Sequence, residues 1–76
     1  RPFFIMGEVR SPGKYDFKEN LTVLEAVAMA QGFTYRANQN KIEIVRKLGS
    51  TQSSIMADKH HDVMPGDVIK VKERFF

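Results

Sequence analysis

The sequence predicts an α+β domain, a mixed β-sheet packed on one main α-helix. Three observations predict it. Apolar runs of strand length recur at 3–9, 41–46 and 68–72. One segment, 22–31, carries helical spacing with a start signal and a stop signal. Pro-Gly pairs at 12–13 and 65–66 punctuate the chain where it must turn. With 76 residues there is room for one domain and a thin core, so neighbouring domains or subunits are expected to supply further burial.

In Phe3-Phe4-Ile5-Met6, Phe3 and Ile5 share one parity with Val9, and Phe4 and Met6 share the other. Both faces are apolar, as in a central strand. Gly7 interrupts the strand, where a glycine marks a bulge, a close backbone approach or a backbone that admits a ligand. Ser11-Pro12-Gly13-Lys14 has the composition of a type II turn, and Tyr15-Asp16-Phe17 reads as the returning strand of a hairpin.

Thr22-Val23-Leu24-Glu25 matches a capping box, in which hydroxyl and carboxylate satisfy free N–H groups reciprocally. Leu24, Val27 and Ala28 form one apolar row, and Val23, Val27 and Ala30 a neighbouring one. Leu24, Val27 and Ala30 are expected in the core. Gly32 stands where a helix-ending glycine belongs. Ile42 and Ile44 mark one face of the strand at 41–46. Leu48 to Gln52 is turn-like, and Ser54-Ile55-Met56-Ala57 reads as a short strand returning from it. Met64-Pro65-Gly66-Asp67 is a second type II turn signal. In the final strand Ile69 and Val71 face inward, with Lys70, Lys72 and Arg74 on the other side. A helix laid across a mixed sheet after an opening hairpin is the β-grasp arrangement.

Composition narrows the chemistry. Hydrophobic residues at 42% and charged residues at 28% fit an ordered domain. The absence of cysteine excludes disulfides, thiolate metal sites, iron–sulfur clusters and cysteine nucleophiles. The net charge of +3 reads as solubility charge rather than a nucleic-acid footprint. No stretch approaches the ~20 apolar residues of a membrane-spanning helix. The chain starts without Met and enters an apolar run after Arg1-Pro2, as expected of a piece of a longer protein.

Four motifs in order resemble the SLBB (soluble-ligand-binding β-grasp) domain family. They are Phe4-Ile5-Met6-Gly7-Glu8-Val9 with Ser11-Pro12-Gly13-Lys14-Tyr15; Leu21 to Val27 with Ala30-Gln31-Gly32-Phe33-Thr34; Ala37 with Ile42, Ile44 and Arg46; and Pro65-Gly66-Asp67-Val68-Ile69-Lys70-Val71. The closing Lys72-Glu73-Arg74-Phe75-Phe76 is similar to that of outer-membrane polysaccharide export proteins, with Lys72 where proline is expected. Gln31 replaces the first of two glycines, and as a good helix former it is expected to extend the helix by one residue. The resemblance implies a non-enzymatic module of a capsule or exopolysaccharide export complex. It implies a periplasmic, outer-membrane-associated location, a homo-oligomeric ring, and an inner-membrane polysaccharide co-polymerase as partner. It implies no cofactor. A ferredoxin of similar fold needs cysteines, and a sulfur carrier needs a Gly-Gly tail where this chain has Phe75-Phe76.

Candidate contacts with saccharide or with protein partners are Tyr15, Tyr35, Arg36, Arg46, Lys70, Lys72, Arg74, Phe75 and Phe76. Aromatic faces suit the C–H surfaces of sugar rings, and cations suit anionic glycans or acidic partners. The plainer alternatives are that Tyr35 and Phe33 pack the helix exit and that the last-strand cations line a solvent-facing edge. Phe75-Phe76 is expected to dock on this domain or on a neighbour. His60-His61, flanked by Asp58 and Asp62, reads as a polar loop. In a strand adjacent side chains point to opposite sides and do not converge on a metal, whereas in a loop both could turn inward.

Overall fold

The structure is a computed structural model and describes residues 1–75. In chain order the elements are β1 (Pro2–Gly7), β2 (Gly13–Asp16), α1 (Val23–Met29), β3 (Ala37–Leu48), β4 (Thr51–Ala57) and β5 (Val68–Glu73). The strands form one mixed sheet in the order β2-β1-β5-β3-β4. β1 and β5 run parallel, and the remaining neighbours are antiparallel. The expected α+β class is observed.

Alternation along the strands sends Phe3 and Ile5, Ile42 and Ile44, and Ile69 and Val71 to one face. There they join Val23, Ala26, Val27 and Ala30 of α1 in a single buried cluster. The buried helix row is therefore the one through Val23, and Leu24 is 44% exposed, contrary to expectation. Both rows share Val27, so spacing alone did not separate them. The sheet takes the side with two alanines, which lets helix and sheet approach closely.

The capping box forms. Glu25 N–H donates to Thr22 Oγ1 at 3.3 Å, and Thr22 N–H donates to Glu25 Oε1 at 2.9 Å. The loop at 58–63 completes the cap: Val23 N–H donates to the His61 carbonyl and Leu24 N–H to the Lys59 carbonyl, both at 2.9 Å. At the other end the helix does not run on through Gln31. Gln31 N–H donates to the Ala28 carbonyl at 3.0 Å and Gly32 N–H to the Val27 carbonyl at 2.9 Å. This is a Schellman motif, with Gln31 in the left-handed position at φ 71. The tertiary course of the chain overrides helix propensity, because the loop at 8–11 uses the carbonyls that the turn presents. Arg10 N–H donates to the Gly32 carbonyl and Ser11 N–H to the Ala30 carbonyl. Glutamine at such a φ is disfavoured by about 1–2 kcal/mol, and glycine gives part of that back as unfolded-state entropy. Gln31→Gly should therefore stabilise the domain by about 0.5–1 kcal/mol, raising its Tm by roughly 2–8 °C. An unchanged or lowered midpoint in thermal unfolding would refute this account of the helix end.

Of the two Pro-Gly turns, only the second has the expected form. Asp67 N–H donates to the Met64 carbonyl at 3.1 Å, with Gly66 at φ 84. Gly13 instead begins β2 opposite Ile5, so a long loop separates the two strands. β3 exceeds its predicted span: Ala37 pairs with Glu73, a bulge follows, and regular pairing resumes at Ile42. β4 likewise begins at Thr51, joined to β3 through Gly49 at φ 66 and Ser50. Gly7 sits at φ 91 with its backbone against the Val71 carbonyl, which is the close-approach reading and not an opening for a ligand.

Candidate functional site

One face of the sheet is covered by the helix, and the other is open. The registers align Lys14, Phe4, Val68, Val45 and Ser54 across all five strands on that open face. The next row holds Met6, Lys70, Glu43 and Met56. The second apolar parity of β1 is thus real, but it signals an uncovered surface rather than two-sided burial: Phe4 is 38% exposed and Met6 45%. A shallow groove of about 350 Å³ runs along this face, lined by Phe4, Val45, Val68, Gly66, Lys47, Gln52 and Lys70. It is apolar at its floor and cationic at its rim. Lys72 Nζ lies 3.4 Å from Glu43 Oε1. The Ser54 hydroxyl donates to Glu43, and together with Lys72 it holds that carboxyl below its ordinary range.

A second surface lies where the helix exit meets the end of β5. Tyr35 is 79% exposed. The Arg36 guanidinium carbon lies 5.7 Å from the Tyr35 ring centroid, and its Nε donates to the Tyr35 hydroxyl at 3.2 Å. Arg36 Nη1 reaches Glu73 Oε2 at 3.4 Å. The Tyr35 hydroxyl first, and then Glu73, raise the Arg36 pKa above its ordinary value. Arg74 Nη2 donates to the Tyr35 carbonyl at 2.9 Å, and Arg74 N–H to the Arg36 carbonyl at 2.7 Å. The corner is braced from below: the Thr34 hydroxyl donates to Glu8 Oε1 at 2.7 Å and accepts from Arg36 N–H at 3.2 Å. Tyr35, Arg36 and Arg74 thus form one cluster. Tyr35 does not pack the helix exit, whereas Phe33 is partly buried against the core.

The other candidates are dispersed. Lys70 and Lys72 belong to the open sheet face. Tyr15 pairs with Phe3 on the core side, with ring centroids 6.1 Å apart, and its hydroxyl donates to the Ser11 carbonyl. Arg46 also lies on the core side, where its guanidinium grips Asp67 with two parallel hydrogen bonds, Nε to Oδ1 at 3.0 Å and Nη2 to Oδ2 at 2.9 Å. Asp67 raises the Arg46 pKa above its ordinary value. Phe75 is 87% exposed, so it does not dock on this domain, and Phe76 lies outside the described residues.

His60 and His61 have local roles. His60 N–H donates to Asp58 Oδ1 at 2.8 Å, and His61 Nδ1 is 2.9 Å from the Asp62 carbonyl. Among the described residues no three His, Asp or Glu side chains are grouped as a metal would require. Among the described residues no helix is long and apolar enough to cross a membrane. The sequence signal for the Arg46–Asp67 pair is an aspartate after Pro-Gly, poised to accept the N–H three residues back.

Among known proteins, the chain is similar to the exopolysaccharide production protein ExoF of Rhizobium meliloti (strain 1021), with 50% identity over 32 residues. That stretch is 42% of this chain and 8% of ExoF, so the chain spans a small fraction of that relative. The profile of the SLBB domain matches residues 2–57, or 56 of the 76 residues, running from β1 through the whole of β4. By this match over most of its length, the chain belongs to the SLBB domain family.

Proposed function

We propose that this domain is a non-enzymatic β-grasp module of a polysaccharide export complex, acting in the periplasm at the outer membrane through protein contacts that help assemble a ring. Family membership and the name of the ExoF relative support the setting. The observation that carries the role is the open sheet face, where Phe4, Val68 and Val45 stand in one row with Lys14, Lys47 and Lys70 around them. An apolar floor with a charged rim is the usual anatomy of a protein interface. The partners proposed for it are neighbouring subunits and an inner-membrane co-polymerase. Phe75 is a further exposed apolar contact.

Phe4→Ser combined with Met56→Ser, made in the full-length protein, should leave this domain folded, because both side chains lie outside the core. Loss of two apolar contacts at about 1–2 kcal/mol each should weaken assembly and lower the exported polymer by at least about threefold. Unchanged assembly and export would sink the proposal.

A second reading, direct contact with the polymer, is favoured by the Tyr35–Arg36–Arg74 corner, where an exposed ring lies beside two guanidinium groups. An amide NMR titration with fragments of the host's polysaccharide should then give saturable shifts at Tyr35, Arg36 and Arg74. No shifts at about millimolar sugar would leave protein contact as the function.

A further inference from the structure

The sheet ends in two edges of different character. β2 is four residues long and carries Lys14 and Asp16, with Pro12 just before it. Short length, charge and proline are the ordinary means of blocking edge-to-edge pairing. β4 has none of them. Its seven residues, Thr-Gln-Ser-Ser-Ile-Met-Ala, contain no charge and no proline, and its pairing with β3 is regular throughout. Among the described residues no backbone group of β4 hydrogen-bonds to any element but β3.

The register tells which groups are free. The two-residue loop of Gly49 and Ser50 makes Leu48 and Thr51 a hydrogen-bonded pair. Antiparallel alternation then turns the N–H and C=O of Thr51, Ser53, Ile55 and Ala57 toward β3, and those of Gln52, Ser54 and Met56 outward. Three outward residues at alternate positions, centred on Ser54, form a self-complementary row.

We infer that β4 pairs antiparallel with β4 of a second copy of this chain, about a two-fold axis at Ser54. Ser54 then faces its own counterpart, and Gln52 faces Met56 on both sides of the axis. Each of these three pairs exchanges two hydrogen bonds. On the core side Ile55 packs beside Ser53 of the second copy. Charge is what selects the second copy as occupant. Across a two-fold axis every charged residue meets its own kind or a neighbour in the same strand, and β4 has none to repel. The nearest cation in the register, Lys47, lies one strand further back, opposite Gln52. This edge is distinct from the open face assigned above, and the inference does not depend on the export reading.

The contact is smaller than the ~1,000 Å² of a stable interface, so its dissociation constant should be on the order of 0.1–1 mM.

Sedimentation of the chain up to about 2 mM should show reversible dimerisation. Amide exchange at Gln52, Ser54 and Met56 should slow as concentration rises, while that of Thr51, Ser53 and Ile55 stays constant. Ser54→Pro removes an N–H that β3 does not use, so the fold should persist while dimerisation weakens by at least about tenfold. Ser54→Lys, which sets two ammonium groups at the axis, should do the same and recover partly in high salt. A chain that stays monomeric throughout this range overturns the inference. So does a dimer that both variants form as readily as the parent chain.

Discussion

Gly7→Ala should be the most damaging small substitution in the chain. A Cβ at Gly7 would lie 2.2 Å from the Val71 carbonyl oxygen and 3.1 Å from the Val71 carbonyl carbon and nitrogen. The obstacle is backbone in the middle strand of the sheet, not a side chain that can swing away. Gly7 is the last residue of β1 paired with β5, and immediately beyond it Glu8 N–H donates to that same Val71 oxygen at 3.0 Å. Accommodating a methyl group means separating β1 from β5 or giving up this hydrogen bond. A left-handed φ of 91 adds a further penalty for any residue with a Cβ. The combined loss should be about 3 kcal/mol or more.

A domain of this size holds only roughly 4–11 kcal/mol in total. The Tm should fall by roughly 12–24 °C. Gly49→Ala is the matched control, because Gly49 also has positive φ but nothing lies within 4 Å of its added Cβ. That variant should lose only about 1 kcal/mol. Equal losses at the two positions would remove the Val71 contact from the explanation.

Asp67→Ala should come close behind. Asp67 is the one fully buried charged side chain among the described residues. It accepts both hydrogen bonds from Arg46 and a third from Met64 N–H at 2.8 Å, so one carboxylate ties β3 to the turn that launches β5. Removing it leaves a partly buried guanidinium with only its 3.4 Å hydrogen bond to the Asp62 carbonyl, and the Met64 N–H without its partner. Breaking a buried pair from one side costs about 3–5 kcal/mol, because the remaining charge stays desolvated. Arg46→Met alone should cost a similar amount for the converse reason. The double variant Arg46→Met with Asp67→Leu should recover a large part of the loss. Urea unfolding of the parent chain, Arg46→Met, Asp67→Leu and the double variant measures the coupling directly, and strictly additive losses would contradict a coupled pair.

The pair adds little pH dependence from the arginine side. A raised folded-state pKa contributes stability that is fully present below the unfolded value and disappears only as pH rises through the folded one. For Arg46 that window lies above the ordinary arginine value, outside the pH range in which the domain works.

Residues with local consequences were legible. Thr22 and Glu25 announced the helix start, Pro65-Gly66 announced the turn before β5, and the Ile42/Ile44 and Ile69/Val71 alternations named the sheet's inner face. Less legible were features whose partner is far along the chain. Asn38-Gln39-Asn40 is a weak strand signal, and this stretch is strand because Ala37 is anchored by Glu73. The histidine loop showed no role in sequence, yet its carbonyls close the first turn of α1. At the candidate site, residue type points to Tyr35, Arg36 and Arg74, and the fold brings them together. Arg46 qualifies on the same grounds, yet it lies on the other side of the sheet, held by Asp67.

Element order, the helix start, the second turn and the family are all encoded locally, because each rests on hydrophobic period, capping chemistry, turn geometry or short motifs in a fixed order. Tertiary structure alone decided the rest. It chose Val23 over Leu24 for the core, because both rows satisfy the helical period and only the position of the sheet separates them. It placed Gln31 in a left-handed conformation against its helix propensity, since the loop at 8–11 takes up the carbonyls beyond the helix. It gave Gly7 its necessity through a carbonyl 64 positions away at Val71, and it left Phe4, Val45 and Val68 side by side on an open face. These outcomes depend on which strands lie next to one another, and strand adjacency is a long-range choice that no local pattern encodes.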